Sequence, residues 1–251
     1  LSTGNGGSSI IALQMNDDNN DQSIDHDDYV DLAIVEFDDN TLTIFEGAAN
    51  AAFSTGQSYS VGAGPFSLTA ADIDNDGVVD IVTSNVLSND LSILFGNGDA
   101  TFAEATTIAG GPGPSSVGAA DLENDGDVDL VIANATSSSL TILRNDGNGV
   151  FGIPEDHGVG NFPVSLPYSL VIADLDNNGL VDLAVAKGDD DKVTVLHNEF
   201  QSGDHLLALS KENAEGRGVE FGSLPLNYDP TIDAIPQPDT IAEDSPMQVV
   251  I

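Results

Sequence analysis

Four stretches of this chain repeat one another in register, and that internal repetition limits the fold more than any other feature. The segments Val30-Asp31-Leu32-Ala33-Ile34-Val35, Val79-Asp80-Ile81-Val82-Thr83, Val128-Asp129-Leu130-Val131-Ile132 and Val181-Asp182-Leu183-Ala184-Val185 align, and their aspartates are 49, 49 and 53 residues apart. The triplets Leu42-Thr43-Ile44, Leu91-Ser92-Ile93, Leu140-Thr141-Ile142 and Val193-Thr194-Val195 keep the same spacing. A third marker, an aromatic after a turn rich in Gly, Asn and Ala, recurs at Phe53, Phe102 and Phe151. Short runs of Val, Ile and Leu separated by Asn/Asp/Gly turns are strand and turn signals, and no 3.6-residue periodicity competes with them. Small residues precede each marker (Leu68 to Ala71, Val117 to Ala120, Val171 to Ala173), as strands crowded round an axis require. A unit of about 40–50 residues holding four short strands is the mark of a propeller blade.

The expectation is therefore an all-β chain of about four propeller blades, near 8–53, 54–102, 103–151 and 152–200. Residues 1–7 read as an N-terminal linker. Beyond 200 the repeat stops, and the proline-rich stretch 201–240 reads as an extended linker. Residues 241–251 resemble the first strand of a further module.

Composition removes several functions. Five Lys+Arg against 42 Asp+Glu give a formal net charge of −37. Nucleic acid and anionic membrane surfaces are bound through basic side chains, so neither is an expected partner. Cysteine is absent, which excludes thiolate metal sites, thiol catalysis and disulfides. No apolar run is long enough to insert in a bilayer. His26, His157, His197 and His205 show no zinc-ligand spacing, and no nucleophile elbow or phosphate loop is present, so the chain reads as non-catalytic.

The acidic excess is concentrated just before the strand markers. Three nine-residue loops carry oxygen side chains at positions 1, 3, 5 and 9 and glycine at 6. The second unit presents Asp72, Asp74, Asp76 and Asp80, with the Val78 carbonyl at position 7. The third presents Asp121, Glu123, Asp125 and Asp129, with the Asp127 carbonyl. The fourth presents Asp174, Asp176, Asn178 and Asp182, with the Leu180 carbonyl. Carboxylates this close repel one another, and a hard dication relieves the repulsion. Ca²⁺, which takes six to eight oxygens in flexible geometry, suits the set better than Mg²⁺, and softer metals would want His or Cys. Three to four Ca²⁺ ions are expected. In the first unit two registers stay open. Counting back from Asp31 gives Ser23, Asp25, Asp27 and Asp31; counting forward gives Asp17, Asn19, Asp21, Ser23, Asp25 and Asp28, an EF-hand-like loop with Gln22 in place of glycine.

These loops, the Val-Asp-Leu strands that follow, the Phe95-Gly96 turn, and the segments Gly62-Ala63-Gly64-Pro65 and Gly111-Pro112-Gly113-Pro114 resemble FG-GAP/VCBS repeats over residues 8–200. Such repeats build the integrin-α-type β-propeller and the propellers of many secreted bacterial proteins, commonly with seven blades. The resemblance implies calcium in the blade loops and an extracellular or cell-surface setting. It further implies an adhesion or ligand-binding role towards an extracellular protein or glycan, as part of a larger multidomain chain. The tail from Pro230 to Ile251 is similar to the start of Ig-like or cadherin-like modules. An alternative of another class is an accessory or catalytic propeller of a secreted polysaccharide-degrading enzyme.

Overall fold

A computed structural model describes residues 3–16, 29–159, 167–188, 192–199, 209–213 and 220–221. It is all-β apart from one short turn of 3₁₀ helix. The strands are β1 (Gly7–Leu13), β2 (Asp31–Glu36), β3 (Thr41–Phe45), a two-residue ribbon of β4 (Gly47–Ala48) and β5 (Ala52–Phe53), β6 (Gln57–Ser60), β7 (Pro65–Ala71), β8 (Asp80–Asn85), β9 (Asp90–Leu94) and β10 (Thr106–Ala109). They continue with β11 (Pro114–Ala120), β12 (Asp129–Asn134), β13 (Ser139–Leu143), β14 (Glu155–Gly158), β15 (Pro167–Ala173), β16 (Asp182–Lys187), β17 (Lys192–Asn198), β18 (Leu209–Asn213) and β19 (Glu220–Phe221). They form four antiparallel meanders, ordered β1-β2-β3-β6, β7-β8-β9-β10, β11-β12-β13-β14 and β15-β16-β17-β18-β19. Each sheet is one propeller blade.

The first strands of the blades touch in series, β1 to β7, β7 to β11 and β11 to β15, and so line the axis. Each opens with a register shift, and in the last three blades this lies between a proline and a serine (Pro65/Ser67, Pro114/Ser116, Pro167/Ser169). Proline lacks the N–H that a regular ladder would use, so a strand start with a bulge is where it fits. Gly118 explains the small residues nearby, because a Cβ there would sit 2.8 Å from the Ile172 side chain of the next blade. Among the described residues β15 and β1 make no contact of comparable extent, so the four sheets form an arc rather than a closed ring.

The second strands are buried at every position in β8 and β12. Each lies between two neighbouring blades, so both faces are covered: β12 fills them with Leu130-Val131-Ile132-Ala133, and β8 with Ile81 and Val82 followed by the buried polar residues Thr83, Ser84 and Asn85. Alternate residues then serve opposite joints. Ile81 packs towards the first blade with Val35, Leu42 and Ile44, whereas Val82 packs towards the third with Leu130 and Ile132. In the third blade Val131 and Ala133 meet Leu183 and Val185 of the fourth.

The blade limits differ from those read in the sequence. The outer strands Gln57–Ser60, Thr106–Ala109 and Glu155–Gly158 lie beyond the aromatic markers and belong to the preceding sheets. These edge strands are short, polar and largely exposed, so they lack the Val/Ile signal used to place the boundaries. Likewise Leu209–Asn213 and Glu220–Phe221, within the stretch read as linker, extend the fourth sheet. The loop containing Asp17, Asn19, Asp21, Ser23, Asp25 and Asp28 lies outside the described residues, as does 241–251.

Candidate metal centre

The buried marker aspartate explains why the three repeat signals keep one register. Asp80 is buried and accepts two backbone N–H groups, from Ile73 at 2.8 Å and from Gly96 at 2.8 Å. Asp129 does the same with Leu122 (3.2 Å) and Asn145 (2.9 Å), and Asp182 with Leu175 (2.9 Å) and Asn198 (2.8 Å). Asp31 takes Met15 (2.9 Å) and Gly47 (2.7 Å). One carboxylate thus pins the start of the acidic loop to the end of the third strand. The residue beyond that strand in turn bridges the aromatic marker, Gly47 with Phe53, Gly96 with Phe102 and Asn145 with Phe151. Burial pushes the Asp80 and Asp129 carboxyls up to about 6, against the lowering effect of their N–H partners.

Between this clamp and the inner strand the acidic loops curl identically. Position 1 accepts two further amides: Asp72 from Asp76 and Gly77, Asp121 from Asp125 and Gly126, Asp174 from Asn178 and Gly179. Position 5 accepts the amide of position 7, Val78 to Asp76, Asp127 to Asp125 and Leu180 to Asn178. Two left-handed residues make the curl, the glycine at position 6 (Gly77, φ +87°) and the asparagine at position 4 (Asn75, φ 58°). Nothing would obstruct a Cβ at Gly77, so glycine is required there by φ alone.

The loops converge to different degrees. In the second, carboxylate oxygens of Asp72, Asp74 and Asp80 lie within 4.8 Å of one another. Asp74 Oδ1 is buried with no hydrogen-bond partner, and its carboxyl is raised by burial and then by Asp76 and Asp72. In the fourth, Asp176, Asp182 and His197 converge instead; His197 Nδ1 lies 3.8 Å from Asp176 Oδ2 and 3.6 Å from Asp182 Oδ2. In the third, Glu123 pairs with Nη1 of Arg144, and Arg144 Nε also donates to Glu155 at 2.8 Å. Asp76, Asp125 and Asn178 are exposed at the rim, and Asp127 uses its side chain to accept from Asn75 of the neighbouring loop at 2.8 Å. His197 and Arg144 were not in the sequence-derived set. Both stand just before the amide donor to the marker aspartate, a repeat position whose chemistry varies too much to show as a motif.

A second concavity, of about 450 Å³, runs along β1 and β7 and is lined by Ile11, Leu13, Leu68, Thr69, Ala70 and Val79. It offers no charged group, so the acidic loops are the sites with chemistry.

The FG-GAP-like repeat family matches the sequence in three tandem copies, at residues 24–83, 84–132 and 121–185. The chain belongs to the FG-GAP-like repeat family. The blades described above are therefore FG-GAP repeats, and the acidic loop with its clamp aspartate is the repeat's most regular local structure. Among solved structures, the chain is similar to BBS1N, determined in complex with ARL6DN (12% identity, TM-score 0.52, 88% of this chain and 70% of that one). It is also similar to a functionally unknown protein of Desulfotomaculum acetoxidans (17%, TM-score 0.50, 76% and 53%). A third similarity is to the biofilm matrix protein Bap1 of V. cholerae (17%, TM-score 0.47, 87% and 39%). The chain thus spans about two fifths of Bap1 and about half of the Desulfotomaculum protein. Comparison with curated proteins finds no match. Among the described residues no helix is long and apolar enough to cross a membrane.

Proposed function

We propose that this FG-GAP domain is a non-catalytic, extracellular interaction module whose blade loops carry Ca²⁺. The observation that bears most weight is the second loop. Asp72, Asp74 and Asp80 gather three carboxylates in one small volume, and a buried Asp74 oxygen has no donor of its own. A buried anionic oxygen without a partner is costly, and burial there disfavours its charge. Protonation at neutral pH would waste the arrangement, whereas a hard dication would satisfy all three groups at once. Rim oxygens from Asp76 and the Val78 carbonyl are close in sequence and available to complete a shell. Calcium would then tie the inner strand to the second strand, in a chain with no disulfide to do so.

The module reading follows from what the surface lacks as well as what it offers. Repeated loops on one edge of the arc present exposed carboxylates, and a net charge of −37 repels other polyanions. A protein or neutral glycan bound through calcium-ordered loops suits that surface. Full-length chain should melt at a higher temperature in millimolar Ca²⁺ than in EDTA; a site loaded to 100 times its Kd adds about 2.7 kcal/mol. Superimposable melts would refute the calcium reading. A glycan and extracellular-protein array with and without Ca²⁺ tests the partner, and turnover of a polysaccharide would replace the module reading by an enzymatic one.

A further inference from the structure

The three described acidic loops share one template, yet one side chain beside each of them differs. The residue just before the clamp's amide donor is Phe95 in the second blade, Arg144 in the third and His197 in the fourth. Arg144 and His197 neighbour position 3 of their loops, Glu123 and Asp176. Phe95 packs into the apolar joint between the second and third blades and offers Asp74 no charge. Arg144 ion-pairs with Glu123.

We propose that Arg144 is a built-in counter-ion for the third loop, replacing the dication there, so that Ca²⁺ loading falls to the second loop and not to the third. This rests on the calcium reading above and says which loops it applies to. Two independent features carry it. Glu123 is the single glutamate among the position 3 residues, and its extra methylene lets the carboxylate reach the guanidinium; Arg144 is held in turn by Glu155 on β14. The consequence is visible in the carboxylates: among the described residues, Asp72, Asp74 and Asp80 converge, and the matching set Asp121, Glu123 and Asp129 does not. The pair is also largely buried, with side chains 18% and 11% exposed, where a charge-assisted bond is strong and an uncompensated carboxylate costly. A dication at this loop would have to pull Glu123 from an arginine that cannot give up its charge.

The test makes the same change at the same position of both loops. Ions bound per full-length chain are counted by native mass spectrometry and calcium calorimetry for the wild type, Asp76→Asn and Asp125→Asn. Asp76→Asn should lose an ion or weaken one site at least tenfold, and Asp125→Asn should leave count and affinity unchanged. An ion lost on Asp125→Asn overturns the proposal. Arg144→Gln should gain an ion, and its failure to do so while folded also overturns it. If Arg144→Gln does not fold, the double variant Glu123→Gln/Arg144→Gln decides, since removing both charges restores folding only if the arginine acts as counter-ion. Should the wild type bind no calcium at all, the calcium reading falls by itself. The melting of the double variant against Arg144→Gln then still judges the role of Arg144: recovery upholds it and equal loss ends it.

Discussion

At the scale of single residues, the marker aspartate does two jobs that the sequence cannot separate. Spacing assigns Asp80 to the acidic loop, and the structure also gives both its oxygens to backbone amides of Ile73 and Gly96. Asparagine at this position keeps one acceptor and turns an N–H towards another N–H. Asp80→Asn is therefore expected to lower stability by about 1–3 kcal/mol even in EDTA, where no ion contributes, measured by urea denaturation. The half-buried His157 on β14, whose Nε2 is enclosed, offers a pH test away from the acidic loops. Burial, the largest influence, lowers its pKa below 6.5, with Arg144 acting in the same direction and Glu155 and Asp156 against it. The unfolded chain then takes up this proton before the folded one does. The contribution of neutral His157 is present above 6.5 and is lost as pH falls below it. Stability measured from about pH 7.5 to about pH 5 should fall less steeply in His157→Gln than in the wild type; identical slopes would show that the imidazole is not shielded.

At the scale of the element, the acidic loop and the strands around it form one unit closed by hydrogen bonds from several directions. Asn145 illustrates this. Its amide donates to Asp129, while its side chain donates to the carbonyls of Val128 at 3.0 Å and of Ile73 in the previous blade at 2.6 Å. Asn198 repeats the inter-blade bond to Leu122 at 2.8 Å. Asn145→Ala should cost about 1–3 kcal/mol, because it strips a buried carbonyl of its donor, and Asn148→Ala on the exposed turn should cost almost nothing. Equal denaturation midpoints for the two variants would contradict this. Much at this scale was legible beforehand. Val/Ile runs, positive-φ turn residues and the 49-residue register place the second and third strands of each blade, where burial on both faces favours apolar side chains. The outer strands were not legible, because Gln57–Ser60 and Thr106–Ala109 bury little and have no reason to be apolar. The curl of the acidic loops could be read from their alternating oxygens and the glycine at position 6. Arg144 and His197 could not, because they come from a distant strand and reach the loop only once the sheet has formed.

At the scale of the whole molecule, each blade covers the face of the one before it. Ile73 and Leu122, at position 2 of the second and third loops, are 0% and 2% exposed, whereas the equivalent Leu175 in the fourth is 45% exposed. Val171 and Val193 are exposed on that same blade. Identical chemistry at these positions should therefore have unequal effects. Ile73→Ala is expected to cost about 2–5 kcal/mol and Leu175→Ala well under 1 kcal/mol, by chemical denaturation. Comparable losses would mean that the fourth blade's face is covered in solution. Hydrogen exchange should follow the same gradient, slowest in β8 and β12 and faster in β16.

The joint between blades has a simple grammar on the side opposite the acidic loops. The turn asparagine of one blade accepts the amide of a glycine leading into the next, Asn40 from Gly64 at 2.7 Å and Asn89 from Gly113 at 2.8 Å. The third blade has Ser138 at the equivalent position, so the pair recurs only in the first two blades; a tandem duplication of the 49-residue stretch from Asn40 would arrive with both halves of a new junction already written. An arc built this way can gain or shed such a member by recombination with its asparagine–glycine bond already in place.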